Sequence, residues 1–226
     1  MLDYIWFDDK TPILNQLPNN FKSAAILFHP FVQMPLGWEQ TRQINSSQHI
    51  YTCDEEILKL GIPVKWDKMI SNCGLTNHQE LAIALKTSIG ALREKYSRAD
   101  FADKLNSKLK PDLYYPTEDS TSVFLISDIL KILGSKGANH LYFSAPVMDN
   151  AGVLKINDIT LLDICDLSPN ELILTDENMD FAFMSIFDSF ITLFLAKDEN
   201  INHIVQLMDL EAIICDKKTY IDWYFN

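Results

Sequence analysis

The sequence predicts an α+β fold, with a helix-rich N-terminal half packed with a mainly antiparallel sheet from the C-terminal half. Three observations predict it. Apolar residues recur at helical spacing, between capping residues, from about residue 54 to residue 133. Beyond Gly137 the pattern changes to short runs rich in aromatic and β-branched residues, punctuated by Asp, Asn and Gly. Segregation of helices from strands along a chain favours α+β over a regular doubly wound sheet. The third observation is electrostatic. Residues 1–110 carry 13 basic and 12 acidic side chains, whereas residues 111–226 carry 6 and 19. The chain has 226 residues, of which 47% are hydrophobic, enough for a sizeable core without disulfide staples. A single α+β domain over 1–226 is expected, with a soft internal boundary near 111–116, because no long linker separates two bodies.

The elements follow in order. Ala24-Ala25-Ile26-Leu27-Phe28 reads as a short strand that His29-Pro30 stops, and Pro35-Leu36-Gly37 marks a turn. Asp54 to Leu60 reads as a short helix with an acidic first turn and Gly61 at its end. A second short helix begins after Pro63. The strongest helix has Thr76/Gln79 and Asn77/Glu80 at capping-box spacing, then Leu81, Leu85, Ile89 and Leu92 at helical spacing. Ser97 and Asp100 open another, with Phe101, Leu105 and Leu109 on one face, and Pro111 and Pro116 close the region. Ser120 to Leu133 forms the last clear helix of this half.

Leu141 to Ala145 then reads as a strand, Asp149-Asn150-Ala151-Gly152 as a turn, and Val153 to Ile156 as its antiparallel return. Leu172 to Leu174, Asp180 to Phe187 and Phe190 to Leu195 are further strands. Asn200 or Asn202 caps a short helix, and Ala212 to Cys215 adds an edge strand.

Several chemistries are excluded by missing motifs. No Walker loop, no Gly-x-Gly-x-x-Gly run, no Gly-x-Ser-x-Gly elbow and no His-Glu-x-x-His pair occurs. Cys53, Cys73, Cys165 and Cys215 match no zinc spacing, and buried free thiols are their expected state. The N-terminus lacks a secretory signal pattern, and the apolar run from Met179 to Ala196 is interrupted by Asp180 and Asp188. A cytoplasmic protein is expected, with no membrane partner. A strongly acidic surface repels phosphates, so no nucleic acid is expected either.

Two constellations remain as candidate binding sites. The first is the acidic cluster Asp163, Asp166, Glu171, Asp176, Glu177 and Asp180. It would dock a cationic partner or a divalent ion; as a plain alternative, it is a set of solvated loops. Asp176, Asn178 and Asp180 open like a calcium loop, but Phe181 stands where Gly is needed and Phe187 where a bidentate Glu is needed. No metal and no cofactor is assigned. The second is the irregular aromatic stretch from Phe28 to Glu39, in which His29, Trp38 and Glu39 offer polar and aromatic anchors for a pocket; otherwise its rings simply cover core faces.

The opening through Trp38, with His29-Pro30-Phe31 and Met34-Pro35, and the closing Ile221-Asp222-Trp223-Tyr224-Phe225 resemble a family of uncharacterised soluble proteins from Bacillus-type bacteria. The resemblance extends over most of the chain and implies no catalytic residues, since that family has no assigned activity. In composition alone, the acidic character is also similar to that of small bacterial immunity proteins. A non-catalytic binding module with an acidic surface for a basic protein partner is therefore the favoured reading. The alternative is a metal-assisted hydrolase or other small-molecule enzyme with an unrecognised site. A homodimer through apolar strands near Phe181–Leu195 is a third option.

Overall fold

Ten strands and seven helices make up the computed structural model, which describes residues 2–39, 52–198 and 200–225. Strand β1 (Ser23–Phe28) is buried at every position, and β2 (Phe31–Gln33) follows the His29-Pro30 break. Helix α1 (Asp54–Leu60) carries Asp54, Glu55 and Glu56 in its first turn, where acids complement the helix dipole. The short strand β3 (Ile62–Val64) leads to α2 (Trp66–Cys73), which Gly74 terminates in the left-handed conformation. Helix α3 (His78–Ser88) is capped by Asn77, whose side chain accepts from the Glu80 amide at 2.9 Å, while Glu80 accepts from the Thr76 amide at 2.7 Å. Helix α4 (Ala99–Asn106), β4 (Leu113–Tyr114) and α5 (Val123–Gly134) complete the first half. Then come β5 (His140–Ala145), β6 (Asn150–Lys155), α6 (Leu161–Cys165), β7 (Ile173–Asp176), β8 (Phe181–Ser185), β9 (Ile191–Ala196), α7 (Ile201–Leu207) and β10 (Ala212–Ile214).

The chain divides into two compact units, one formed by residues 1–29 with 118–226, the other by residues 30–117. Unit 1 is built on a seven-stranded sheet ordered β10-β1-β9-β8-β7-β5-β6, antiparallel at every pairing. Its centre is dry. Strands β1, β8 and β9 are buried throughout, and Phe183 lies opposite Phe194 with the rings stacked at 4.5 Å. Helix α5 covers this sheet with Val123, Ile126, Ile129 and Leu133 buried along one stripe. Unit 2 has a three-stranded antiparallel sheet, β3-β2-β4, and helices α1 to α4. Pro63 sits in β3, an edge strand, where its missing N–H breaks no interior ladder.

The α+β class holds, but the N-terminal half is not simply helical. Strand β1 lies inside the large sheet, and α5 to α7 are interspersed among the later elements. The run Ala24 to Phe28 is apolar on both faces, as suits an interior strand, and its backbone edges are paired by β9 and β10. The β5–β6 connection also differs. Ala145 pairs with Asn150, so the turn occupies residues 146–149 and not 149–152. Pro146 starts a 3-10 turn there and Asp149 takes φ +47°, a conformation Asp tolerates better than most residues. Strands β8 and β9, within the stretch Phe181–Leu195 named above as a third option for a homodimer, are interior to the sheet. Its outer edges are β10 and β6.

Candidate functional site

The acidic cluster resolves into separate structural duties within unit 1. Asp176 is 1% exposed at the end of β7. Its Oδ1 accepts from the backbone N–H groups of Asn178 (2.8 Å) and Asp180 (3.3 Å), and Oδ2 from that of Phe181 (2.6 Å). Both oxygens thus close the β7–β8 turn, a local role for which Asp is preferred. Asp163 forms a capping box with Thr160 at the start of α6, and those hydrogen bonds hold its carboxyl below the usual carboxylate range. Glu177 accepts from the Asn139 amide (2.8 Å) and meets His140 Nδ1 (3.0 Å), which lowers its pKa in the same way. Asp180 lies 3.4 Å from Lys197 Nζ and 4.0 Å from Lys136 Nζ. Lys136 itself is bound at 2.5 Å by Asp198, the partner that chiefly raises its pKa. Asp166, at the C-cap of α6, is exposed.

These carboxylates do not share one cage. Among the described residues of unit 1, Glu118, Asp119 and Asp188 bring three carboxylate oxygens within 4.8 Å of one another, a group the sequence reading did not single out. The Asp188 amide donates to Asp119 Oδ1 at 2.6 Å, and both residues have positive φ.

The aromatic stretch is divided between the units. His29 is fully buried in unit 1, just past β1, with Nε2 2.8 Å from Thr192 Oγ1 and its backbone N–H on the Phe190 carbonyl. Thr192 in turn meets Thr121 at 3.5 Å, so His29 belongs to a buried hydroxyl network. Trp38 and Glu39 belong to unit 2. Trp38 packs edge-on against Tyr114 at 5.6 Å, and Glu39 lines a cavity of about 810 Å³.

That cavity exposes what the sequence reading missed. Asp112 also lines it, is 4% exposed, and ties the Pro35-Leu36-Gly37 turn to β4. Its Oδ2 accepts from the Gly37 amide at 3.2 Å and its carbonyl from the Met34 amide at 2.7 Å. Its Oδ1 has no hydrogen-bond partner among the described residues. The Tyr114 hydroxyl is likewise buried without a partner, and burial, then the charges of Glu39 and Asp112, push its pKa up to about 12. Gln33 and Lys110 border both this cavity and a neighbouring recess of about 410 Å³, which Lys68, Asn72 and Lys108 also line. The sequence signal was present only as Pro111-Asp112 beside spaced lysines, a pattern that also describes any helix end.

Two of the four thiols are held in their unreactive protonated form. Cys215 is buried with its pKa raised to about 12 and Cys73 is shifted upward, both chiefly by desolvation. Cys53, by contrast, is exposed, because it precedes the first turn of α1 instead of facing a core. No helix among the described residues is long and apolar enough to cross a membrane.

The sequence profile of a family described as "Protein of unknown function (DUF2711)" matches residues 9–225. The chain is also similar to an uncharacterized protein, YwbB, of Bacillus subtilis (strain 168), with 51% identity over 224 residues, covering 99% of this chain and 100% of the relative. No solved structure matches.

Proposed function

This chain belongs to the DUF2711 family, and from that premise we propose that it acts as a non-catalytic cytoplasmic binding protein whose acidic unit 1 recruits a basic protein partner. The observation that carries this reading is the partition of charge. Unit 1 holds 21 acidic and 8 basic side chains, net −13, while unit 2 holds 10 and 11, net +1. Such a one-sided field speeds encounter with a cation-rich surface and makes association sensitive to salt. The sequence cluster supplies only part of that field outward. Asp166 and Asp149 are exposed carboxylates with no ion pair among the described residues, whereas Asp163, Asp176, Glu177 and Asp180 are engaged by their own chain. That engagement weakens the competing reading of metal-assisted hydrolysis at the cluster, since its oxygens already serve amides, His140 and lysines.

Affinity capture from an extract of the native cell, run at low and at physiological ionic strength, tests the reading. It expects a basic protein retained at low salt and lost or weakened at high salt, and less of it retained by an Asp149→Asn/Asp166→Asn double variant. Retention of no basic protein at either salt would refute it.

A further inference from the structure

We infer that unit 2 holds a binding site for a small phosphorylated polyol, seated between the Pro35–Gly37 turn, Asp112 and the lysines of the neighbouring recess. The inference is independent of any protein partner on unit 1. It starts from Asp112. A buried carboxylate oxygen left without a donor is costly, and native proteins satisfy nearly all such groups. Asp112 Oδ1 is one such atom, in a residue 4% exposed, on the wall of a cavity of about 810 Å³. Its sister oxygen is fixed by the Gly37 amide, so the free one is held in place and not merely loose. Gly37 has φ +82° and open space where a Cβ would stand, which keeps the turn thin at the cavity wall. What Oδ1 lacks is a hydrogen donor, and a ligand hydroxyl supplies one. Glu39 lines the same cavity.

The other end of the ligand is read from charge. Lys68, Lys108 and Lys110 line the adjoining recess, and none of them forms an ion pair among the described residues. Three like charges around one recess give it a positive potential that favours an anion. Asn72 adds a neutral donor, and a phosphate monoester presents several acceptor oxygens to such a set. Because Gln33 and Lys110 border both spaces, one molecule can place its phosphate in the recess and its hydroxyls against Asp112. Both volumes lie in the range of small-ligand sites.

The Gly37 amide, which donates to Asp112, is a built-in reporter. The full chain, labelled with nitrogen-15, is titrated at constant ionic strength with the phosphate monoesters of glycerol, ribose and glucose, each to about 10 mM, a range that detects even millimolar affinity. Inorganic phosphate and unphosphorylated glucose serve as comparisons. At least one ester is expected to shift the Gly37 amide saturably and to bind about tenfold tighter than inorganic phosphate. Asp112→Asn and Lys108→Gln are each expected to loosen it about tenfold. Lys108 is exposed, so its variant keeps the test intact if Asp112→Asn does not fold. The inference is overturned if no ester moves the Gly37 amide, if inorganic phosphate does so equally well, or if the folded variants bind as the parent does.

Discussion

Glu177 and Asp176 are neighbours with the same charge and opposite lessons. Asp176 is buried, and its carboxylate accepts hydrogen bonds from backbone amides within the next five residues. An Asp-x-Asn-x-Asp string therefore describes a turn lock as well as it describes a cation loop, and the missing Gly decides for the lock. Glu177 is partly exposed and bridges to Asn139 and His140 across strands. Its carboxyl is held below the ordinary 4.5, first by the Asn139 amide and then by His140. A lowered pKa means that the fold favours the charged form. Its stabilisation is whole above the unfolded value and fades as pH falls through the lower folded value. Glu177→Gln should therefore reduce the Tm near neutrality and match the parent at about pH 3. A difference that stays constant from neutral to acid pH would contradict this account. At this scale the sequence made local chemistry legible in part: the Asn77 cap was read, whereas the Thr160–Asp163 capping box was not. Asp112 was not legible, since its partners Met34 and Gly37 are brought to it by strand pairing between β2 and β4.

Elements with their own punctuation were read well. Helices α1 to α5 lie close to the expected ranges because caps, breakers and apolar spacing are all local. The small sheet of unit 2 escaped notice, since three residues in β3 and two in β4 are too short to show a period, and Pro63 argues against a strand. Strand order in the large sheet is a matter of long-range pairing that no local pattern encodes. Gly61 illustrates how tightly an element end can be set. A Cβ there would stand 2.6 Å from the Ile57 carbonyl oxygen and 3.2 Å from the Ile57 Cα, both backbone atoms that cannot easily yield. Gly61→Ala should destabilise the protein by about 1–3 kcal/mol through this overpacking. The expected signature is a lower urea midpoint with an unchanged slope. An unchanged midpoint would mean that α1 and β3 separate without strain.

For the whole molecule, charge is the dominant unbalanced quantity. A net −12 concentrated on unit 1 works against its own compaction at low ionic strength. Raising salt from about 0.01 M to about 0.15 M shortens the screening length from roughly 30 Å to 8 Å. The Tm should then rise by a few degrees, about 2–4 °C if relief of repulsion amounts to ~1 kcal/mol. Calorimetry at matched pH checks this, and a Tm that falls with salt would show that attractive pairs such as Lys136–Asp198 outweigh the repulsion. The sign asymmetry was visible in composition, though its alignment with a structural unit needed the fold.

Strand β1 has a further consequence. Ser23 to Phe28 pair with Ala196 to Ile191, and residues 30–117 are made in between. On a ribosome adding about 5–20 residues per second, the earliest apolar segment waits on the order of 10–30 s before its neighbours exist. During that interval unit 2 can finish while the nascent Ala24–Phe28 run stays exposed to chaperones and to other emerging chains. Biogenesis, more than equilibrium stability, is where this topology leaves the molecule vulnerable.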